Sequence, residues 1–346
     1  MISAPRHPTA RALIEWAQRN GLFFALVILF VFFWLASDRF MTTANIAVVL
    51  QQVSVVGLIA IPGAMLVLSG YVDLSVGSIA VLAAVTFGKA MELQLGLAAS
   101  VVLGLLAGTA WGVLNGYLIA ILNFSPIIVT LGGLAGARGL AQLVTHGFTQ
   151  FGFGPTFAVL GNGAILAIPV PVWIYAAVFL VGAHVWYQTP VGPHMAAIGG
   201  ARDAARALGI KTRTLPFWLY VASGLAASVG GLIVSSELDG ASVSTGIGME
   251  LDALTGILLG GVAFTGGRGS LFGVLFGTVF IGALTNGLVQ INVSPYFQQV
   301  AVGIALVLAA GLDVLYQRLD RIRFADEADD PVEPVPAATR QPEAAK

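Results

Sequence analysis

The feature that most restricts this chain is the recurrence of apolar runs about 20 residues long. That is the length an α-helix needs to cross the hydrocarbon of a bilayer. Runs of this kind fall near 21–37, 45–69, 74–91, 95–122, 126–145, 171–188, 215–236, 251–265, 270–291 and 297–316, the eighth being short by the same rule. Only 10% of the 346 residues are charged and 57% are hydrophobic, whereas a soluble domain carries about 25% charged residues. The bilayer is therefore the expected solvent. The pattern predicts an all-α polytopic membrane protein with about ten transmembrane helices.

Glycine supports the same class. The 43 glycines suit membrane helices, whose backbones approach closely through small residues. Gly104, Gly108, Gly112 and Gly116 recur at every fourth position and read as a packing stripe on the fourth span. The first span follows Arg6, Arg11 and Arg19 in the manner of a signal peptide. Trp34 stands where cleavage after Ala36 requires a small residue, so the span reads as uncleaved.

Charge orients the chain. With ten spans both ends share one side, which then holds Arg6, Arg11, Arg19, Arg202, Arg206, Lys211, Arg213, Arg268, Arg318, Arg321 and Arg323. The opposite loops hold only Arg39 and Lys89. The positive-inside rule places both termini in the cytoplasm. The expected organisation is a cytoplasmic segment 1–20, a transmembrane domain 21–316 with a cytoplasmic loop 189–214, and a cytoplasmic tail 317–346. From about Ala325 that tail is acidic and Pro-rich, a composition expected to stay disordered. The uncharged, Gly- and Pro-rich stretch 147–170 falls outside.

Several function classes drop out. A net charge of −1 gives no basic excess for nucleic acid. The absence of cysteine removes thiolate metal sites and a thiol nucleophile. His7, His146, His184 and His194 lie far apart and form no ligand-spaced pair, so neither metal nor cofactor is expected. "GGRGS" at 266–270 lacks the lysine of a phosphate-binding loop, and no nucleophile-and-base arrangement stands out. ATP-driven transport would require a separate ATPase chain.

Two segments echo one another. "GLLAGTAWGVLNGYLIAILNFSP" (104–126) aligns with "GVLFGTVFIGALTNGLVQINVSP" (273–295), matching Asn115-Gly116 to Asn286-Gly287. A weaker echo pairs Asp73 and Gly77 with Asp252 and Gly256. The copies lie five spans apart, an odd offset that inverts the second in the membrane and predicts an inverted internal repeat.

The few polar residues inside apolar runs carry two readings each. Asp73, beside Ser75 and Ser78, reads as a cap on the third span, with a place on a polar path as the alternative. Pro62-Gly63 and Ser69-Gly70 are positions where the second span can break. Thr130 and Arg138 lie inside the fifth span, where Arg138 reads as a snorkelling or paired cation or as a path residue. Gln51, Gln52, Asn115 and Asn286 suit a neutral polyol or glue helices together. Within 189–214, "ARDAARALG" predicts a short amphipathic helix ended by Gly209, which either lies on headgroups or docks into a partner's groove.

At these residues the chain resembles the ribose-type permeases, the membrane subunits of ATP-binding-cassette (ABC) importers for monosaccharides. "SGYVDLSVGS" (69–78) is similar to the family's S/T-G-G-I-D-L-S-V-G-S, and "GGARDAARALGI" (199–210) to its G-G-N-x-x-A-A-x-x-x-G-I. "ELDALTGILLGGVAFTGGRGSLFGVLFG" (250–277) matches its E-L-D-x-I, L-G-G and G-G-x-G-x-x-x-G pattern, and the likeness runs from about 40 to 315. Ala201 replaces the usual Asn, and Tyr71-Val72 replaces Gly-Ile.

The resemblance implies that Gly199, Gly200, Ala204, Ala205 and Gly209 form the ATPase-coupling loop, with Arg202, Asp203 and Arg206 on its polar rim. It also implies a second permease subunit, an ABC ATPase, a periplasmic sugar-binding protein and the bacterial inner membrane. The expected function is inward movement of a pentose or hexose by alternating access. Asp73, Ser75, Asn115, Thr130 and Asn286 are the expected path residues. The rival reading is an ion-coupled secondary transporter of a small polar solute, with Asp73 and Asp252 as ion sites.

Overall fold

The computed structural model describes residues 8–328, with side chains over 21–311. The helices are α1 (Pro8–Ala36), α2 (Thr43–Leu68), α3 (Val76–Glu92), α4 (Leu97–Gly116), α5 (Pro126–Thr145), α6 (Pro155–Asn162) and α7 (Val170–Gln188). They continue with α8 (Val191–Gly200), α9 (Arg202–Ala207), α10 (Thr214–Glu237), α11 (Met249–Leu259), α12 (Leu271–Gln290) and α13 (Pro295–Ala328). Among the described residues, six helices are long and apolar enough to cross a membrane: α2, α4 with its continuation to Ile121, α5, α7, α10 and α12. Gly21–Ala36 and Pro295–Gly311 are shorter apolar stretches. The part of the expected disordered tail after Ala328 lies outside the described residues.

Local signals set many of the ends. Thr42 accepts from the Asn45 amide and starts α2, and Ser270 accepts from the Gly273 amide and starts α12. Pro126 opens α5, where its missing N–H costs nothing. α2 does not break at Pro62-Gly63. It runs through to Leu68 and ends at Ser69-Gly70, where Gly70 takes φ +78°. The fourth span continues past Gly116 as a π-helical turn, Tyr117–Ile121. The eighth run does not stay helical to 265. α11 stops at Leu259, because Gly260 and Gly261 (φ +79°) turn the backbone out of the helix.

α2, α3 and α10 form the buried centre. α4 and α5 cover α3, while α7, α11 and α12 surround α2. α1 packs on α12, where the Phe33 ring fills the space a Cβ on Gly287 would need, and α13 packs on α11. Outward faces remain apolar, with Ile28, Leu103, Ile128, Leu180 and Val307 among the exposed side chains, as lipid contact requires. Segment 147–170 forms two small antiparallel strand pairs and α6, one pair setting Gln150–Phe151 against Gly240–Ala241 after α10.

Glycine sets the tightest seam. A Cβ on Gly112 would lie 2.5 Å from the Tyr220 carbonyl oxygen and 3.1 Å from the Gly224 Cα. A Cβ on Gly104 would lie 2.9 Å from the Ala83 carbonyl, and one on Gly116 2.9 Å from the Phe217 carbonyl. At Gly108 it would meet the Ser228 hydroxyl. This stripe brings α4 backbone-to-backbone against α10 at Gly108, Gly112 and Gly116, and against α3 at Gly104. A second seam joins α11 to α12 through Gly256, Gly260, Gly273 and Gly277.

Candidate functional site

The expected path residues fall into two separate networks. Asp73 precedes α3 by three residues and is 9% exposed. Its Oδ1 accepts from the Ser75 amide (3.0 Å) and Ser75 Oγ (2.6 Å), and its Oδ2 accepts from Ser223 Oγ of α10 (2.9 Å). Asn115 Nδ2 of α4 donates to Ser75 Oγ (2.9 Å), and Tyr220 Oη donates to the Val72 carbonyl (2.9 Å). Ser75, not Asp73, is the residue flanking α3, and no side chain caps that end. The Asp73 carboxylate therefore ties the loop before α3 to α10, and through Ser75 to α4, without bonding the free amides of the first turn.

The second network lies between α2 and α12. Asn45 Nδ2 donates to Asn286 Oδ1 (2.9 Å), and Gln290 donates to Asn45 Oδ1. Thr130 joins neither network, since its Oγ1 donates to the Pro126 carbonyl of its own helix (2.8 Å). Ser75, Asn115, Thr130 and Asn286 are all buried. None of the five lines the acid-lined opening on the far side of α2 and α10.

That opening is a cavity of about 550 Å³ between α2, α10, α11, α12 and α13. Its polar lining comprises Gln52, Glu237, Glu250, Asp252, Thr285, Gln298 and Gln299, set among Val55, Val56, Ile281 and Val302. Glu237 accepts from Gln51 Nε2 (2.9 Å), which also donates to the Gly161 carbonyl (2.7 Å). Gln298 Nε2 donates to the Val293 carbonyl (2.9 Å). Glu250 Oε2 is buried over Gly77 of α3 without a hydrogen-bond partner. Arg138 of α5 acts on Glu250 electrostatically, while its own Nε and Nη2 are buried and unpaired.

α8 and α9 lie at the C-terminal end of α2, away from this cavity, which α2 lines with Gln52, Val55 and Val56. Gly199 sits against the Leu68 carbonyl and the Gly267 amide, and Gly267 N–H donates to the Leu68 carbonyl (2.8 Å). A Cβ on Gly266 would lie 2.9 Å from the Gly70 nitrogen. Arg202 Nη1 donates to Asn123 Oδ1 (2.9 Å), and its guanidinium stands 5.7 Å from the Tyr71 ring centre. Ala205 is buried against the bundle; Gly200, Asp203, Ala204, Arg206 and Gly209 are exposed, with open space around Gly200. Gly209 follows α9 at φ +80°, a conformation that suits the end of a short helix.

Residues 45–310 match the family model described as "Branched-chain amino acid transport system / permease component". The chain belongs to this permease family. It is a multi-pass membrane protein and a transport subunit, not an enzyme. The permease is similar to the ribose import permease of Bacillus subtilis, 36% identical over 298 residues that cover 86% of this chain and 92% of the relative. The ribose import permease of Haemophilus influenzae is 33% identical over 307 residues, 88% of this chain and 94% of the relative. The D-allose transport system permease protein of Escherichia coli is 31% identical over 307 residues, 88% and 93% of the two chains. No solved structure matches the permease.

Of the residues that line the permease's cavity, the sequence singled out only Gln52 and Asp252. Glu237, Glu250, Thr285, Gln298 and Gln299 come from four different helices. One signal was available: Glu237, Glu250 and Asp252, with Asp239, make four acids within 16 residues of a chain that is only 10% charged.

Proposed function

We propose that this permease forms the solute pathway of an ABC importer in the bacterial inner membrane, carrying a monosaccharide inward by alternating access. Its partners are a second permease subunit, an ABC ATPase chain and a periplasmic sugar-binding protein. Ten spans with both termini cytoplasmic put α8 and α9 on the ATPase side and the cavity on the side where the binding protein docks. The sugar reading draws on the ribose and allose permeases named above. The reading of α8 and α9 as the coupling element draws on one observation. Gly200, Asp203, Ala204 and Arg206 face out on two short helices whose inner side, at Gly199 and Ala205, is seated on the bundle.

An exposed short helix with small residues and a polar rim can seat in a partner's groove at low steric cost. Gly199 rests on the backbone that ends α2, so a push on α8 reaches the central helices directly. The ion-coupled rival draws on the carboxylates of the cavity.

Co-purification of the tagged permease with its ABC ATPase, with and without Gly200→Trp or Ala204→Trp, separates the two readings. Loss of ATPase from the monodisperse variants alone is the expected outcome. Absence of any association for the unaltered chain, together with gradient-driven uptake by the purified permease, would favour the rival.

A further inference from the structure

The cavity between α2 and α10–α13 has one-sided chemistry. Among the described residues that line it there is no Lys, Arg or His, while Glu237, Glu250 and Asp252 are acidic. Arg138 offsets Glu250 from behind but does not line the space, so Glu237 and Asp252 dominate the field inside. The remaining polar groups are the amides of Gln52, Gln298 and Gln299 and the Thr285 hydroxyl, which both donate and accept. Carboxylates accept strong, short hydrogen bonds from hydroxyls. Val55, Val56, Ile281 and Val302 supply the apolar remainder. The volume of about 550 Å³ falls within the range of about 300–1,000 Å³ for small-molecule sites.

We infer that this cavity is an anion-excluding solute seat, which accepts an uncharged polyhydroxylated solute and turns away sugar phosphates, sugar acids and other carboxylates. An amino acid's carboxylate would meet no cation in the cavity and would face Asp252 and Glu237. The inference rests on the importer reading for the direction of travel, but its electrostatic core does not depend on the ATPase.

The chain contains no cysteine, which allows a clean test in intact spheroplasts of the full assembly. Thr285→Cys and, separately, Val302→Cys place a thiol in the cavity. Tyr296→Cys places one outside it, since Tyr296 is 81% exposed and does not line the space. Each is labelled with a cationic and an anionic methanethiosulfonate of similar size.

An acid-lined cleft changes the entry of charged species by roughly 10-fold or more. The cation-to-anion rate ratio at both cavity thiols is therefore expected to exceed the ratio at Tyr296→Cys by about 10-fold. Asp252→Asn with Glu237→Gln should cut that excess at least threefold. D-ribose should slow labelling in the cavity and ribose 5-phosphate should not. Equal ratios at all three thiols, no labelling of either cavity thiol, or protection by the phosphate would each overturn the inference. Loss of ATPase association with the ratios intact would sink the importer reading alone.

Discussion

Asp73, ahead of α3, is held by Ser75 and Ser223 and is 9% exposed, whereas Asp252, in the first turn of α11, lines an open cavity of about 550 Å³. The two stand at matching places in segments that echo one another, each leading through a short helix into a glycine-rich one. What differs is the supply of partners. α3 extends for 17 residues and is enclosed by α4, α5 and α10, so the loop before it meets Ser223 and is sealed. α11 extends for 11 residues and packs on α12 and α13 across a polar gap. A matched position in two similar stretches of sequence therefore does not fix a residue's surroundings; the helices contributed from elsewhere do.

The contrast can be broken most forcefully at its sealed side. Gly112→Leu puts a branched side chain where even a Cβ would lie 2.5 Å from the Tyr220 carbonyl. Monodisperse protein on gel filtration should be lost, while Gly200→Leu, in open space, should purify normally. Recovery of stable Gly112→Leu would mean that the α4–α10 seam is looser than described.

Asp73→Ala comes next. It leaves the hydroxyls of Ser75 and Ser223 without their shared acceptor, and such buried groups cost about 1–3 kcal/mol each. A fall of several degrees in the unfolding temperature in detergent is expected. Asp73→Asn, which keeps one acceptor oxygen, should lose about half as much. An unchanged unfolding temperature for Asp73→Ala would show that the network holds nothing together.

Asp252→Asn sharpens the comparison from the open side. The half-buried side chain makes no hydrogen bond to another described residue, so the unfolding temperature should move by less than about a degree, in line with about 0.5 kcal/mol for a change that removes no specific contact. Solute import by the full assembly should fall severalfold. A large loss of stability instead would make Asp252 a structural twin of Asp73.

A smaller loss of stability than at Asp73 is expected for the two echoed asparagines. Asn115→Ala removes one hydrogen bond, to Ser75, and Asn286→Ala removes one, to Asn45. Each should cost about 1 kcal/mol. A double variant should be additive, since the two networks share no partner; a non-additive thermal shift would reveal coupling between them.

The membrane helices were legible because hydrocarbon thickness writes itself into the sequence. The run 126–145 coincides with α5, and 270–291 differs from α12 by one residue at each end. The glycine stripe of α4 was legible for a similar reason, since close packing leaves few residue types that fit. The end of α11 was not legible, because apolar residues continue after the backbone turns at Gly260-Gly261. Nor was the role of Asp73, whose partner Ser223 lies 150 positions away. The cavity was the least legible of all. Gln298 and Gln299 look like ordinary polar residues at a helix start until α2, α10 and α11 are folded around them.

The junction where Gly70, Gly199, Gly266 and Gly267 meet is made of main chain on main chain, stitched by the Gly267 N–H to the Leu68 carbonyl. Side chains are the springs of a protein, because they change rotamer and absorb small displacements. This joint has none, so it behaves like a keyed shaft with no backlash. A displacement of α8 therefore meets the end of α2, and the loop leading into α12, with little side-chain slack between them to absorb it.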